Sequence, residues 1–476
     1  MNKNYINGKW QDALHGNTWN VVNPCRETVV ATLPFGGADD AQAAISAAAA
    51  AFSGWKNTNA WQRSDLLRQV AHLMRTNAKT LAAVTVEESG KPLAEAIGEW
   101  TVAAQFFDWY AEEGKRAGGQ TLLANRNNKR MSVIHQPIGV VGIITAWNFP
   151  VWNLARVWAA ALAAGCTIVA KPSEYTPLTA MRLMELLEAA DIPAGVANLV
   201  LGDAAAIGQA MLAHPAVRKM HFVGSTRVGK ILLDGASQTN TKLSLELGGN
   251  APCIILPDTD IAATATSAAL AKSRNCGQVC VSPQRFIVHR SVYDAFCSGA
   301  SEALQQFNIG DGADPVTQLG PLINARQREH VAAIVQESVA AGGTLLCGGK
   351  RPAHLDKGYF YEPTLVKDVR PDNPLFRREI FGPVMSVTPF DTQEEAIALA
   401  NDTEYGLAAY LWTNNLKASV QISEALEFGI VGINEWAAHA VEAPFGGWKQ
   451  SGLGYECGAE GLQEYLEKKL ISVGGV

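Results

Sequence analysis

Two cysteines, Cys276 and Cys280, stand four residues apart in the segment SRNCGQVCVSPQR. Cys280 follows a helical pattern at 261–272 and precedes a strand pattern at 285–289, and a loop cysteine at such a junction can act as a nucleophile. The commoner role of a single cysteine is to fill space in a core, so this alternative stays open. No metal site is predicted, because four-residue spacing without a second cysteine or histidine pair makes a poor zinc site.

Two glutamates follow apolar strand patterns. Glu246, in LELGGN, ends one such pattern before two glycines, where a partly buried carboxylate with a raised pKa can act as a general base. The alternative is a strand-end glutamate that pairs with a surface lysine. Glu174, in KPSEYTP, is placed to accept hydrogen bonds from ribose hydroxyls, or it is only an acid at a helix N-terminus, stabilised by the helix dipole.

A glycine-containing segment could bind phosphate. FVGSTRVGK runs from a strand pattern into Gly224 and Ser225, and then into a helix that contains Gly229. Backbone N–H groups at such a helix start can hold a phosphate group. The segment lacks the G-x-G-x-x-G fingerprint, so alone it is weak evidence for dinucleotide binding. The later SGLGYECG fits that fingerprint loosely, but it does not connect a strand to a helix and is set aside.

The elements that would position these residues follow two patterns. The N-terminal region shows helical spacing, as in SDLLRQVAHLMRTNAKTLAAVTVEESGK, and is predicted to be rich in helices. From residue 140, short apolar runs alternate with helical segments. This alternation predicts a parallel, doubly wound sheet whose strands end at a ligand crevice. The predicted strands are 140–145, 167–170, 197–201, 219–223 and 243–247.

A second alternating region begins after LELGGN, from APCIIL through PVMSVTPF to GIVGINEW. The chain is therefore predicted to be an α/β protein with two doubly wound open-sheet lobes and a cleft between them. The segments NNKRMSVIHQPIG and EYLEKKLISVGGV alternate apolar and polar residues and fit neither sheet. We expect them to extend from the body and pair with another subunit, or else to cover edges of the protein's own sheets.

Composition favours a small-molecule partner. The 476 residues carry a net charge of −6, which gives no electrostatic footprint for nucleic acid. The first residues lack the apolar core of a secretory signal, and no apolar run is long enough to cross a bilayer, so a cytoplasmic location without membrane attachment is expected. The eight cysteines lack paired spacing, as expected for free thiols in a reducing compartment.

Seven motifs stand in one order along nearly the whole chain: TAWNFP, KPSEYTP, FVGSTRVG, LELGGN, NCGQVC, EIFGPV and PFGGWKQSGLG. In this order they resemble the aldehyde dehydrogenase superfamily. The resemblance implies that Cys280 attacks an aldehyde to give a thiohemiacetal, and that Asn148 and the backbone N–H of Cys280 form the oxyanion hole. Hydride transfer then leaves a thioester. Glu246 would activate water to release a carboxylic acid, because relatives that pass the acyl group to coenzyme A lack a glutamate there.

The resemblance also implies a nicotinamide dinucleotide. Glu174 predicts NAD rather than NADP, since family members that prefer NADP usually carry a smaller or neutral residue there. The positions that match the family's cofactor site are Trp147, Lys171, Glu174, Gly224, Ser225, Gly229, Glu379 and Phe381. The implied domains are a Rossmann-like NAD-binding domain (1–124 plus 139–248), a catalytic domain (249–446), and oligomerisation strands with a C-terminal tail (125–138 plus 447–476). A homo-oligomer, dimer or tetramer, is expected.

The substrate pocket is predicted from its departures as well as its matches. Arg156 and Arg274 match arginines that hold the distal carboxylate in succinate semialdehyde dehydrogenases. In the alternative interpretation one of the two arginines pairs with a protein acid, and Arg274 is the candidate for this pairing. His439 replaces a serine of those enzymes and Trp436 lies three residues before it, so the pocket is expected to be shorter or to gain a donor. Ser273, seven residues before Cys280, replaces a usual aromatic residue and is expected to loosen local packing.

The expected substrate is a short aldehyde with an anionic group, and succinate semialdehyde is the first candidate. The alternative is sulfolactaldehyde, lactaldehyde or another small hydroxylated aldehyde. Two other classes compete with the dehydrogenase. A thiol esterase without cofactor needs only the cysteine, the oxyanion hole and the base. A catalytically silent structural protein on the same fold is disfavoured, because Asn148, Glu246 and Cys280 are all present.

Overall fold

The computed structural model describes residues 3–476, and within them the chain forms 22 strands and 15 α-helices. The strands are β1 (Asn4–Ile6), β2 (Lys9–Gln11), β3 (Thr18–Asn23), β4 (Thr28–Pro34), β5 (Gln120–Leu122), β6 (Lys129–Pro137), β7 (Val140–Ile144), β8 (Thr167–Lys171), β9 (Ala197–Leu199), β10 (Val217–Val223), β11 (Lys242–Glu246), β12 (Ala251–Ile255), β13 (Pro283–His289), β14 (Thr344–Cys347), β15 (Thr364–Lys367), β16 (Val384–Phe390), β17 (Tyr405–Gly406), β18 (Ala408–Trp412), β19 (Ile430–Ile433), β20 (Trp448–Lys449), β21 (Gly452–Leu453) and β22 (Leu466–Gly474). The α-helices are α1 (Ala38–Asn57), α2 (Ala60–Thr76), α3 (Ala78–Ser89), α4 (Leu93–Glu113), α5 (Pro150–Ala164), α6 (Pro177–Ala189), α7 (Ala204–Ala213), α8 (Thr226–Ser237), α9 (Ile261–Ser273), α10 (Tyr293–Gln305), α11 (Ala325–Ala340), α12 (Pro374–Arg377), α13 (Gln393–Asn401), α14 (Leu416–Ala425) and α15 (Gly458–Gln463).

The first sheet has eight strands in the order β2-β1-β9-β8-β7-β10-β11-β21. Its five central strands, β7 to β11, run parallel and lie where the apolar runs predict them. The chain moves outward from β7 through β8 to β9, and then returns to place β10 on the other side of β7. Such a reversal opens a crevice at the carboxyl ends of the strands.

The second sheet has seven strands in the order β14-β15-β16-β13-β12-β18-β19 and is parallel except for the β14–β15 pair. Helices α9 to α14 connect its strands. Two open parallel sheets in one chain confirm the predicted fold class. Within residues 3–476, no helix is long and apolar enough to span a membrane.

Four strands that the sequence does not predict precede the helical N-terminal region. Strands β1 and β2 extend the edge of the first sheet, where Tyr5 pairs with Leu199, and β3 and β4 form a hairpin. These strands have three to seven residues, and a run this short gives a weak periodic signal. The predicted helices follow as α1 to α4.

A third sheet, in the order β22-β6-β5, is formed by the two segments that fit neither lobe. Strand β22 pairs with β6 over nine residues in antiparallel register, from Leu466 opposite Pro137 to Gly474 opposite Lys129. Strand β5 joins it although its residues precede the predicted segment. Strand β21 instead adds to the first sheet beside β11, and β20 pairs with β17. The region after residue 446 is therefore divided among three sheets.

Helix α5 follows β7 and is buried along nearly its whole length, between α4 and the first sheet. A helix that is buried on all sides normally carries apolar residues, and most of α5 does. Asn153 and Arg156 are the polar exceptions, and both are under 5% exposed. Because buried polar groups need partners inside the protein, these two side chains require an explanation.

Candidate active site

Cys280 lies on a loop that leaves α9 and leads into β13. Before it, Asn275, Cys276 and Gly277 all adopt left-handed backbone, with φ of 47°, 56° and 71°, a conformation that costs a residue other than glycine about 1–3 kcal/mol. A Cβ on Gly277 would lie 2.1 Å from the carbonyl oxygen of Gly382, so only glycine fits there. This tight turn brings Cys280 to the gap between the two sheets.

Asn275 fastens the strained turn. Its backbone N–H donates to Glu95 Oε2 at 2.9 Å, and its side-chain amide donates to the carbonyl oxygens of Asn148 at 2.8 Å and Gln278 at 3.2 Å. Glu95 lies on α4, 180 residues away. Neither Asn275 nor Glu95 could be recognised from the sequence as a support of the Cys280 loop, because their contact joins segments that are distant in the chain.

The two residues near Cys280 that depart from the family pattern, Ser273 and Cys276, both face the protein interior. Cys276 is 2% exposed and belongs to a hydrophobic cluster that includes Leu319 and Leu322, so its surroundings are those of a packing residue. Ser273 is also 2% exposed, and its hydroxyl oxygen has no hydrogen-bond partner. All eight cysteines are free.

Glu246 closes β11 next to Cys280 and is 4% exposed. Burial raises the pKa of its carboxyl group to about 7, although the charge of Arg156 acts in the opposite direction. Burial also raises the pKa of the Cys280 thiol well above its usual range, and the charge of Glu246 adds to this effect. A neutral thiol thus stands beside a carboxyl group that is close to half-ionised at neutral pH, so a proton can pass from sulfur to oxygen.

Asn148 follows β7 at the switch point of the first sheet. Its side-chain Nδ2 donates to the carbonyl oxygen of Gln278 at 3.1 Å, two residues before Cys280. Its own carbonyl oxygen accepts from Lys91 Nζ at 2.9 Å, and Lys91 is in turn paired with buried Glu99. Glu99 also accepts from the first free N–H groups of α5. Asn148 is therefore held between α5 and the loop that carries Cys280, at 274–282.

Cys280 lines two cavities. The inner pocket has a volume of about 340 Å³, and the cleft on the side of the first sheet has a volume of about 730 Å³. The inner pocket is lined by Phe149, Trp152, Asn153, Arg156, Arg274, Val279, Cys280, Val281, His439 and Phe445. Since both cavities reach the same sulfur, two molecules can approach Cys280 from different sides.

Arg156 is 3% exposed at the base of the inner pocket. Its Nε lies 2.7 Å from Oε2 of Glu456, and its Nη2 lies 3.9 Å from Oε2 of Glu246. Burial disfavours the charged guanidinium, but the charges of Glu456 and Glu246 outweigh burial and raise the pKa of Arg156. The sequence suggests Arg274 as the arginine that could pair with a protein acid, whereas the structure shows this ion pair on Arg156.

Arg274 occupies the passage from the inner pocket to an outer pocket of about 710 Å³. It is partly exposed, and its guanidinium group lies 5.3 Å from the centre of the Phe149 ring, in cation–π contact. Arg274 therefore presents a positive charge along the path to Cys280.

His439 also lines both pockets, and its ring centre lies 5.0 Å from that of Trp152. Burial, and then the charges of Arg274 and Arg156, lower the pKa of His439 to about 4. The ring is therefore neutral at pH 7 and adds a neutral polar group to the pocket. Trp436 does not line the inner pocket and packs instead against Tyr410 and Trp412, so it does not shorten the pocket as the sequence suggests.

The cleft has features that suit a nicotinamide dinucleotide. Strand β10 ends there and α8 begins, with Ser225 as its N-cap, so the positive end of the helix dipole can meet a phosphate. Trp147 and Phe381 stand edge to face, 5.4 Å apart. Glu379 accepts from the Gly249 N–H at 2.9 Å, and burial raises its pKa to about 7. The lining residues are Ala146, Trp147, Asn148, Val223, Gly224, Ser225, Glu246, Leu247, Gly248, Cys280, Gln327, His330, Glu379 and Phe381.

Three residues that match the family's cofactor positions lie outside the lining of this cleft. Lys171 ends β8, and its Nζ lies 3.0 Å from Oε2 of Glu174. Gly229 lies in the first turn of α8, where a Cβ would come within 2.7 Å of a terminal methyl group of the Leu247 side chain. Conversely, Gln327 and His330 of α11 line the cleft although no sequence motif indicates them.

Comparison with known proteins agrees with this arrangement. The model of the aldehyde dehydrogenase family matches residues 10–471. An Escherichia coli relative named succinate-semialdehyde dehydrogenase (NADP(+)) is 43% identical over 469 residues, which cover 98% of this chain and 97% of the relative. A Pseudomonas putida relative named glutarate-semialdehyde dehydrogenase is 42% identical over 469 residues, with coverage of 98% and 97%.

Solved structures show the same likeness. The crystal structure of succinate-semialdehyde dehydrogenase from Burkholderia pseudomallei matches this chain with a TM-score of 0.98 and 44% sequence identity, covering 100% of this chain and 98% of that chain. A likeness over nearly the full length of both chains includes both sheets and the loop that carries Cys280. The chain therefore belongs to the aldehyde dehydrogenase family and is an aldehyde dehydrogenase.

Proposed function

We propose that this enzyme uses NAD to oxidise a short aldehyde with an anionic group to the carboxylic acid. The leading candidate for this substrate is succinate semialdehyde. The observation that carries the proposal is the position of Cys280 in the wall shared by the inner pocket and the cleft. An aldehyde in the inner pocket and a nicotinamide in the cleft would reach the same sulfur from opposite sides.

In the first half-reaction, the Cys280 sulfur forms a bond to the aldehyde carbon while its proton passes to Glu246. The aldehyde oxygen gains a negative charge and accepts hydrogen bonds from the Asn148 amide and the Cys280 backbone N–H. Donors placed in advance for such an oxygen lower the barrier by about 3 kcal/mol. A nicotinamide held in the cleft would accept the hydride that leaves the aldehyde carbon, so that the carbonyl group re-forms as a thioester on Cys280.

In the second half-reaction, Glu246 releases its proton to solvent and then takes a proton from water, whose oxygen attacks the thioester carbon. The carbon–sulfur bond breaks, the carboxylic acid leaves and the Cys280 sulfur is regenerated. Burial raises the pKa of Glu246 to about 7, so its carboxylate is basic enough to take this proton and is still substantially ionised near neutral pH.

Arg274 is the anchor that we propose for the distal anion of the substrate. Arg156 is committed to Glu456, whereas Arg274 borders both pockets with its guanidinium group over Phe149. A guanidinium group binds carboxylate in bidentate geometry. The names of the two relatives described above, succinate- and glutarate-semialdehyde dehydrogenase, both refer to aldehydes with a distal carboxylate.

The preference for NAD rests on Glu174. A carboxylate at this strand end can accept hydrogen bonds from ribose hydroxyls, and its charge disfavours a 2′-phosphate. Lys171 lies 3.0 Å from Glu174 and offsets part of that charge. The Escherichia coli relative carries NADP(+) in its name, so the choice needs a direct comparison of kcat/KM with the two cofactors. A higher kcat/KM with NADP would refute the preference.

A homo-oligomer is proposed from the third sheet. Leu470, Ile471 and Val473 of β22 are 40–59% exposed, and such a strand favours pairing with another copy of the chain. Light scattering of the purified protein measures the assembly directly, and a monomer would contradict this proposal. A cytoplasmic location stays a prediction.

A panel of aldehydes tests the proposed reaction. NADH formation is measured with succinate semialdehyde, glutarate semialdehyde, sulfolactaldehyde, lactaldehyde and propanal at saturating NAD. We expect the highest kcat/KM with succinate semialdehyde. The sulfonated and hydroxylated aldehydes are included because the neutral ring of His439 lines the pocket and can form a hydrogen bond with a hydroxyl group. Equal kcat/KM for propanal would refute the requirement for an anionic group.

A further inference from the structure

We propose that Asn153 is a positioning residue that fixes the orientation of the Asn148 amide. The inference rests on the proposed role of Asn148 as oxyanion donor. Asn153 lies near the start of α5, is 4% exposed and lines the inner pocket. The chemistry described above gives it no task, although a buried amide needs partners for its polar atoms.

The hydrogen bonds around Asn153 run in one direction. Arg156 Nη2 donates to Asn153 Oδ1 at 3.2 Å, Asn153 Nδ2 donates to Asn148 Oδ1 at 3.2 Å, and Asn148 Nδ2 donates to the carbonyl oxygen of Gln278 at 3.1 Å. A guanidinium group can only donate, and a carbonyl oxygen can only accept. The two ends of the series therefore determine which way both amides face.

This direction leaves the second N–H of Asn148 available for the substrate oxygen. A reversed Asn148 would place its oxygen against the carbonyl oxygen of Gln278 and its NH₂ group against the NH₂ group of Asn153. Both contacts are repulsive, so Asn153 and Gln278 together exclude the reversed orientation. Without the Asn153 amide, Asn148 keeps only its bond to Gln278, and its oxygen is left buried without this donor.

Arg156 is itself held in place from the C-terminal part of the chain. Its Nε lies 2.7 Å from Oε2 of Glu456, whose Oε1 lies 2.5 Å from His221 Nε2. His221 Nδ1 lies 2.9 Å from the hydroxyl oxygen of Tyr465. Burial lowers the pKa of His221, so its ring is neutral at pH 7. The ring then donates from Nε2 to Glu456, and its Nδ1 accepts a hydrogen bond from the Tyr465 hydroxyl group. The tautomer of His221 is thus assigned from its partners. The series of contacts that holds Asn153 in place therefore extends to Tyr465, the residue before β22.

The test uses two substitutions that keep the approximate size of the side chain. Asn153→Leu removes both hydrogen bonds, and Asn153→Asp keeps the acceptor for Arg156 but removes the donor to Asn148. Asn148→Ala serves as the reference for loss of the oxyanion donor. Gln421→Leu, at an exposed amide of α14, is the matched control for an amide-to-aliphatic change.

Three reactions are measured for each variant. These are oxidation of succinate semialdehyde with NAD, hydrolysis of 4-nitrophenyl acetate without cofactor, and alkylation of Cys280 by iodoacetamide. The first two build an oxyanion and the third does not. For both Asn153 variants we expect kcat to fall by about 10- to 100-fold in oxidation and in ester hydrolysis. KM for the aldehyde should change by less than about threefold. The alkylation rate of Asn153→Leu, which adds no charge near Cys280, should stay at the wild-type value.

Four results would overturn the inference. Unchanged kcat in both Asn153 variants, with Asn148→Ala strongly impaired, removes the positioning role and leaves the proposed function intact. A raised KM with unchanged ester hydrolysis shows that Asn153 contacts the substrate anion instead. A parallel loss of alkylation in Asn153→Leu shows general damage to the pocket. If Asn148→Ala has no effect on either reaction, the proposed role of Asn148 fails, and the inference fails with it.

Discussion

Replacing Arg274 by alanine separates the tasks of the two arginines in the inner pocket. We expect Arg274→Ala to lower kcat/KM for succinate semialdehyde and to leave kcat/KM for propanal unchanged. The reason is the difference between the two guanidinium groups: that of Arg156 lies 2.7 Å from Glu456, whereas that of Arg274 borders both pockets. A substrate carboxylate can therefore bind Arg274 without displacing a protein carboxylate.

The size of the effect follows from the setting of Arg274. A hydrogen bond to a charged group contributes about 1.5–3 kcal/mol, and because Arg274 is partly exposed, a value of about 2 kcal/mol is appropriate. That energy corresponds to a fall of about 30-fold in kcat/KM. Arg274→Lys keeps the charge but loses the planar fork of donors, so about half the energy, and a fall of about fivefold, is expected.

The assay compares initial rates of NADH formation with the charged and the uncharged aldehyde at saturating NAD. Arg290→Ala is the matched control, because Arg290 is exposed, pairs with Asp391 and does not line either pocket. The ratio of kcat/KM for succinate semialdehyde to that for propanal should fall in Arg274→Ala and stay constant in Arg290→Ala. An equal loss for both aldehydes, or an unchanged ratio, would show that Arg274 does not bind the substrate anion.

Three further results are expected. Arg156→Leu should destabilise the protein by about 3–5 kcal/mol, because Glu456 is left buried without its charged partner; urea unfolding measures this, and an unchanged midpoint would contradict it. In the wild-type enzyme kcat should rise as the pH increases through about 7, since only ionised Glu246 takes a proton. Glu246→Gln should abolish this rise and lower kcat by about 10²–10⁴. If the rise with pH remains in Glu246→Gln, it belongs to another group. Cys280→Ser should form no NADH from aldehyde while still binding NAD, as followed by quenching of the protein's tryptophan fluorescence; continued turnover would exclude Cys280 as the nucleophile.

The sequence predicts well those parts of the fold that depend on the local pattern of apolar and polar residues. The five central strands of the first sheet are continuous apolar runs, and buried parallel strands normally have this pattern. Glu246 and Glu174 could be placed at strand ends for the same reason. At Gly277 the structure supplies the reason for the residue type, because its left-handed turn and the approach of Gly382 require a glycine.

The supports of the site could not be predicted, because they depend on contacts between distant segments. Glu456 lies 300 residues after Arg156, in a glycine-containing stretch without a clear motif, and burial beside Arg156 is visible only in three dimensions. Asn153 has the same difficulty: its spacing on α5 shows a buried face but not which polar atoms meet there. Trp436 was placed by its distance from His439 along the chain, which gives no direction for a side chain in a loop.

The charge balance beneath the inner pocket supports the proposal that the substrate anion binds at Arg274. Neutral His221 donates to Glu456 without adding charge, so the charges of Arg156 and Glu456 offset each other, and burial dominates the raised pKa of Glu246. A substrate carboxylate at Arg156 would place a further anion near Glu246 and raise its pKa again. At neutral pH, Glu246 would then be mostly protonated and unable to take a proton from water. An anion bound at Arg274 avoids this penalty, so the position of the anchor and the ionisation of the base are parts of one electrostatic arrangement.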